Sequence, residues 1–168
     1  MLKTFEQQSF DKIIDNLIVL YNQKDFSEVI KKTKTLINEY PDNEQLFSIM
    51  GITLLSLKEY RKALNYFKES IKINPNNSNS FFNVGLTYYN LRDLKNAVIN
   101  YKKALKIEDK HLDALFNLAI TFTENKNPKQ AIKYYQKAIE IDYDNVFVHF
   151  NLGNIYYEQS DFLLAIKH

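Results

Sequence analysis

Three asparagines stand 34 residues apart, at positions 83, 117 and 151, and each follows a phenylalanine: Phe82-Asn83, Phe116-Asn117, Phe150-Asn151. A side-chain amide carries both hydrogen-bond donors and an acceptor. A row of such groups can pair with the backbone of another polypeptide without demanding particular side chains. The phenyl ring beside each amide adds apolar area for the side chains that polypeptide presents. This is the chemistry of holding a chain, not of breaking a bond. One interval earlier the same point carries Ile49, so the row serves the C-terminal half of the sequence.

Groups suited to catalysis or metal binding do not assemble in the same way. Of three histidines, His111 falls at a seam between units and is expected to be exposed. His149 occupies a point where other units carry Phe47, Phe81 and Leu115, and is expected to be a packed substitution. His168 is the last residue and is expected to be solvated. No His-Glu-x-x-His pair occurs, and no Ser/His/Asp set follows from spacing. The run Glu140, Asp142, Asp144 lacks the turn glycine and closing glutamate of a calcium loop. Three glycines, all on one packing lattice, make no phosphate-cradling loop. There is no cysteine, hence no disulfide frame and no thiolate site. The expectation is a protein that is not an enzyme, with no cofactor and no metal.

The elements that position the amides follow from the same interval. Gly51, Gly85, Ala119 and Gly153 share one lattice point; Ala63, Ala97, Ala131 and Ala165 share another; Phe67, Tyr101 and Tyr135 share a third. Small residues let two helices approach closely, and the aromatics, with Tyr88, Phe122 and Tyr156, fill the space between units. Overpacking that lattice with Ala97→Leu is expected to cost about 1–3 kcal/mol. Asp25, Glu59, Asp93, Asn127 and Asp161 follow the short turns and are placed to cap second helices, with Glu59 the weakest cap. Asn127-Pro128 is the clearest case, since proline at the first helical position loses no needed donor.

In order, residues 1–9 read as an N-terminal extension of the first helix. Units then span 10–43, 44–77, 78–111 and 112–145, with a partial fifth over 146–168. The first is the least regular. Leu17 replaces the small residue, Thr33 replaces the aromatic and Asn16 replaces an apolar residue, as expected of a terminal unit with no neighbour on one side. Its helices are predicted over Phe10–Gln23 and Phe26–Tyr40. Pro41 and Pro75 mark seams.

This pattern of small residue, aromatic, Ala, aromatic, Ala and Pro at a 34-residue period resembles the tetratricopeptide repeat (TPR) family, over about residues 10–168. The resemblance implies an all-α fold, a TPR solenoid of antiparallel helix pairs in a right-handed superhelix, forming one domain. It also implies that first helices line a concave groove which the Asn83, Asn117 and Asn151 point faces. The row is similar to the asparagine ladder in the TPR region of O-linked N-acetylglucosamine transferase. Asn154, Tyr89 and Tyr157 are expected on the same surface. Phe82 and its equivalents have a second reading, packing between adjacent first helices. Co-chaperone TPR domains clamp a chaperone tail with Lys and Arg at groove points that here hold Gln45, Ser48, Asn79, Asn83, Asp113 and Asn117, so that partner is not expected.

The formal charge is +2, from 22 Lys and Arg against 20 Asp and Glu, so nucleic acid is not the expected partner. Lys68, Lys72, Lys102, Lys103, Lys106, Lys133 and Lys137 fall on outward faces of second helices, where a solvated face is expected. No apolar run approaches the roughly 20 residues that span a bilayer, so no membrane partner and a cytoplasmic location are expected. The expected function is a protein-interaction scaffold that holds an extended peptide or partner helix. One alternative is the targeting arm of a larger enzyme such as a glycosyltransferase. The other is a structural module that self-associates as a homo-oligomer through Phe162, Leu163, Leu164 and Ile166.

Overall fold

A computed structural model describes residues 5–168, with side chains from Phe10 onward. Among the described residues there are ten α-helices and no strand: α1 (Phe5–Asn22), α2 (Phe26–Glu39), α3 (Glu44–Ser56), α4 (Tyr60–Ile73), α5 (Ser78–Asn90), α6 (Leu94–Ile107), α7 (Leu112–Glu124), α8 (Pro128–Ile141), α9 (Val146–Glu158) and α10 (Phe162–Lys167). The first helix begins before Phe10, at Phe5, and residues 1–4 of the expected extension lie outside the described residues.

Local chemistry sets each boundary. Asp25, Asp93, Asn127 and Asp161 accept a hydrogen bond from a backbone N–H three residues on, while Glu59 makes no such bond. The first helices have their own periodic caps, Asn43, Asn77, His111 and Asn145. The turn inside each helix pair places a residue in the left-handed region: Lys24, Lys58, Arg92, Lys126 and Ser160, with φ between 53° and 63°. There the chain reverses with an N–H reaching back across the helix end, as from Glu59 to the Leu54 carbonyl at 2.8 Å.

The chain divides into two compact units, Met1–Pro75 and Asn76–His168. In the first, α1 packs on α2 and α3, α2 on α3, and α3 on α4. Leu46, Met50, Ala63 and Phe67 are fully buried there. A Cβ added to Gly51 would stand 2.5 Å from Cε1 of Phe67, so the glycine is what admits the ring.

The first helix pair solves the same problem with the sizes exchanged. Leu17 occupies the glycine point and Thr33 the aromatic point, and both are fully buried. Both points stay buried with the sizes exchanged, though the Thr33 hydroxyl is left without a partner there. The open face of that pair is indeed relaxed. Lys12 and Asn16 are exposed where the next pair buries Leu46 and Met50.

In the second unit, α5 packs on α6, α6 on α7, α7 on α8, α8 on α9 and α9 on α10, and α5 also meets α7. One core joins Ala97, Tyr101, Leu115, Leu118, Ala119, Tyr135, Val148 and Leu152. Thr53 in the first unit, and Thr87 and Thr121 in the second, are buried at one lattice point. Each hydroxyl donates to the carbonyl four residues earlier at 2.7 Å, so none is left unpaired in the core.

Candidate polypeptide-binding face

The second unit holds every residue of the candidate site. Asn83 lies on α5, Asn117 on α7 and Asn151 on α9, all half-buried. None is sealed in the core. The Asn117 amide donates to the Asp113 carbonyl at 2.9 Å, and the Asn151 amide donates to the Phe147 carbonyl at 2.7 Å. These bonds to their own helices hold the side chains in place. Each amide keeps its oxygen and its second N–H for another partner. Among the described residues the Asn83 side chain has no hydrogen-bond partner.

The three phenylalanines are not equivalent. Phe82 is half-buried with its ring 5.9 Å from Tyr101 and 5.2 Å from His111, and Phe116 lies 6.0 Å from Tyr135. Both rest partly on the core, against rings of the second helices. Phe150 is 65% exposed.

Tyr89 donates its hydroxyl to Glu124, which also accepts from Arg92 at 3.1 Å. Burial first, then this hydrogen bond and the Glu124 charge, push the Tyr89 phenol up to about 12. Asn154 and Tyr157 are exposed, with the Tyr157 ring edge-on to Phe162 at 5.7 Å. A cavity of about 490 Å³ opens between α9 and α10, lined by Phe150, Gly153, Asn154, Tyr157, Phe162 and Ile166 among others.

Phe147 is a further exposed ring on this face that the 34-residue pattern does not single out as functional. The signal for it was available. Phe147 stands where the other units carry Gln45, Asn79 and Asp113, an apolar residue in a polar series.

Two histidines sit differently from expectation. His111 is buried, not exposed, because it caps α7: its Nδ1 accepts from the Ala114 N–H at 3.4 Å and its Nε2 bonds Asn79 at 3.1 Å. It follows Asn43 and Asn77 in phase, and an imidazole nitrogen does the work of the amide oxygen. His168 is not solvated but stacks on Tyr156 at 5.7 Å, with its Nδ1 2.9 Å from that of His149. Burial, then the nearby His149 and Lys167 charges, lower the His168 pKa. His149 is packed, as expected, and its Nε2 bonds the Tyr143 carbonyl at 2.7 Å. Among the described residues no three His, Asp or Glu side chains gather as a metal site would need. Among them, too, no helix is long and apolar enough to cross a membrane.

An all-helical chain of capped pairs on a 34-residue lattice defines a helical-repeat protein. Three tetratricopeptide family models match it, over residues 45–77, 66–98 and 121–160, and support the tetratricopeptide family as its class. No curated protein matches the sequence. Among solved structures the chain is similar to MamA (residues 41 to the end) from Desulfovibrio magneticus RS-1, at 20% identity and a TM-score of 0.82, covering 94% of this chain and 89% of that one. It is similar to pilF of Pseudomonas aeruginosa at 13% identity and a TM-score of 0.89, covering 98% and 75%. It is also similar to YrrB, described as a TPR protein with an unusual peptide-binding site, at 23% identity and a TM-score of 0.70, covering 79% and 68%. At these identities the likeness is one of fold: an all-α tetratricopeptide solenoid.

Proposed function

We propose that the first helices of the second unit bind an extended polypeptide through Asn83, Asn117 and Asn151. The observation that carries this reading is the state of the three amides. They recur on α5, α7 and α9 at one lattice point, half-buried, each retaining an unpaired carbonyl oxygen. The Asn117 and Asn151 amides, each held by a bond to its own helix, suit a backbone ligand, because preorganised groups lose little entropy on binding. Phe150, Asn154 and Tyr157 extend the face with exposed surface. Phe82, Phe116 and Tyr89 contribute only the parts left open by their own contacts. The tetratricopeptide matches, and a fold neighbour described as having a peptide-binding site, support a protein-interaction scaffold rather than an enzyme.

The test is binding of a panel of unstructured peptides to the wild-type chain and to the triple variant Asn83→Ala, Asn117→Ala, Asn151→Ala. With helicity unchanged, the variant is expected to bind at least about tenfold more weakly. Equal binding by a folded variant would refute the amide row as the contact.

A further inference from the structure

First and second helices of the second unit differ sharply in charge. On the second helices, α6 carries Lys95, Lys102, Lys103 and Lys106 and no acidic residue, and α8 carries Lys129, Lys133 and Lys137 with Glu140 as its one acid. The first helices α5 and α7 carry no Lys or Arg. All seven lysines are exposed, and none makes an ion pair among the described residues. The first unit treats its lysines otherwise: Lys31 and Lys32 face Glu28, Lys62 faces Glu59 and Lys72 faces Glu69. Like charges three and four residues apart on one helix repel, and on α6 and α8 nothing within the chain offsets them.

Apolar surface is interleaved with this charge. Lys103 with Ile107, and Lys137 with Ile141, repeat at the 34-residue interval, and both isoleucines are 39% exposed. One interval earlier α4 carries Glu69 in place of the lysine, and Lys72 donates to it, so the pattern is confined to the second unit. A cavity of about 440 Å³ opens beside Lys137 and Ile141, lined also by Asp109, Lys110, Leu115 and Glu140. Leu115 is fully buried and forms its floor. Two of the ammonium groups are held in place: Lys102 lies 5.6 Å over the Phe122 ring and Lys103 5.6 Å over the Phe81 ring.

We propose that the exposed faces of α6 and α8 dock an acidic polypeptide segment whose carboxylates flank an apolar anchor. Charge complementarity selects the acidic partner: unpaired lysines gain from carboxylates what they lack within the chain. The cavity selects the anchor. Asp109 and Glu140 share its rim, so the group that enters is apolar, over Leu115 and Ile141, while the flanking carboxylates lie along the lysines. Two other anionic partners fit less well. Nucleic acid is held by guanidinium forks and stacked on exposed rings. Neither helix has an arginine, Tyr101 and Tyr135 are buried, and Tyr134 stacks on Phe122. A lipid surface is entered by a broad apolar face, and here the isoleucines are set singly among lysines. This surface is distinct from the amide row on the first helices, and neither reading depends on the other.

Fluorescence anisotropy of the full chain with a labelled peptide of repeating Glu-Glu-Leu-Glu tests this. The peptide is expected to bind, and at least about tenfold more weakly at about 200 mM salt than at about 50 mM. Peptides with Gln for Glu, or Ala for Leu, are expected to bind at least about threefold more weakly. The variant Lys103→Gln, Lys106→Gln, Lys133→Gln, Lys137→Gln is expected to lose at least about tenfold, with helicity kept because glutamine is a good helix former. A variant of equal charge in the first unit, Lys31→Gln, Lys34→Gln, Lys68→Gln, Lys72→Gln, is expected to bind as the wild type does, and so is the triple alanine variant of Asn83, Asn117 and Asn151. Each of the following would overturn the proposal: no binding of the Glu peptide, equal binding of either altered peptide, or tighter binding of phosphatidylserine vesicles or single-stranded RNA. So would undiminished binding by the folded α6–α8 variant, or an equal loss in the first-unit or asparagine variant.

Discussion

The ring of Tyr101 occupies the space that a side chain on Gly85 would need: a Cβ there would stand 2.6 Å from Cδ1 of the ring. The ring is fully buried and cannot swing out to solvent. The same lattice point at Gly153 meets nothing closer than 3.4 Å. Substitution by alanine should therefore have opposite signs at the two sites. In α9, Gly153→Ala gains helix propensity and is expected to stabilise by up to about 1 kcal/mol. In α5, Gly85→Ala makes the same gain but must displace a packed ring, and is expected to destabilise by about 1–2 kcal/mol. Urea unfolding of both variants checks the pair. A stabilised Gly85→Ala would mean the ring has room to move.

The hydroxyl of Tyr101 is buried and has no hydrogen-bond partner. Burial pushes this phenol well above its ordinary value, and it pushes Tyr135 up to about 12. In the unfolded chain both ionise near pH 10. Folded-state values above that mean the native state resists ionisation. Stability is thus fully present below about pH 10 and falls as pH rises above it, since only the unfolded chain loses the proton readily. Tyr101→Phe removes an unsatisfied group and is expected to leave stability at pH 7 unchanged or raised by up to about 1 kcal/mol. It should also lessen the alkaline loss. Phe67 already fills this lattice point in the first unit. Thermal melts at pH 7 and pH 11 read both effects; a clear loss at pH 7 would show that the hydroxyl is satisfied.

Leu17 and Thr33 trade sizes with Gly51 and Phe67, and a double-mutant cycle can measure the trade. Leu17→Gly alone is expected to cost about 2–5 kcal/mol, because it opens a cavity in a buried site. Thr33→Phe alone is expected to overpack. Together they restore the pattern of the second pair, and the double variant should recover part of the loss, with a coupling of about 1–3 kcal/mol. Strict additivity would show that the two points do not share a space.

The pairing of helices was legible in the sequence because burial repeats with the lattice. Gly51, Ala63 and Phe67 in the first unit recur as Gly85, Ala97 and Tyr101 in the second, with the same burial. Four of the five cap residues were legible for the same reason, and the weakness of Glu59 follows from its longer side chain. The role of His111 was less visible. Its residue type differs from Asn43, Asn77 and Asn145, and only its phase marks it as a cap. The first pair appears degenerate position by position, since a size exchange shows only when Leu17 and Thr33 are considered jointly. At the candidate site the amide row was legible by spacing. The unequal exposure of Phe82, Phe116 and Phe150 was not, because it depends on whether a second-helix ring covers each one.

The account rests most heavily on the amides of Asn83, Asn117 and Asn151 as a backbone-binding row. Titration of the chain with its tightest peptide from an unstructured panel tests this directly, comparing the triple alanine variant with Gln136→Ala on the exposed side of α8. The account predicts affinity reduced at least about tenfold in the triple variant and unchanged in the control. Equal affinity in all three folded proteins would contradict it.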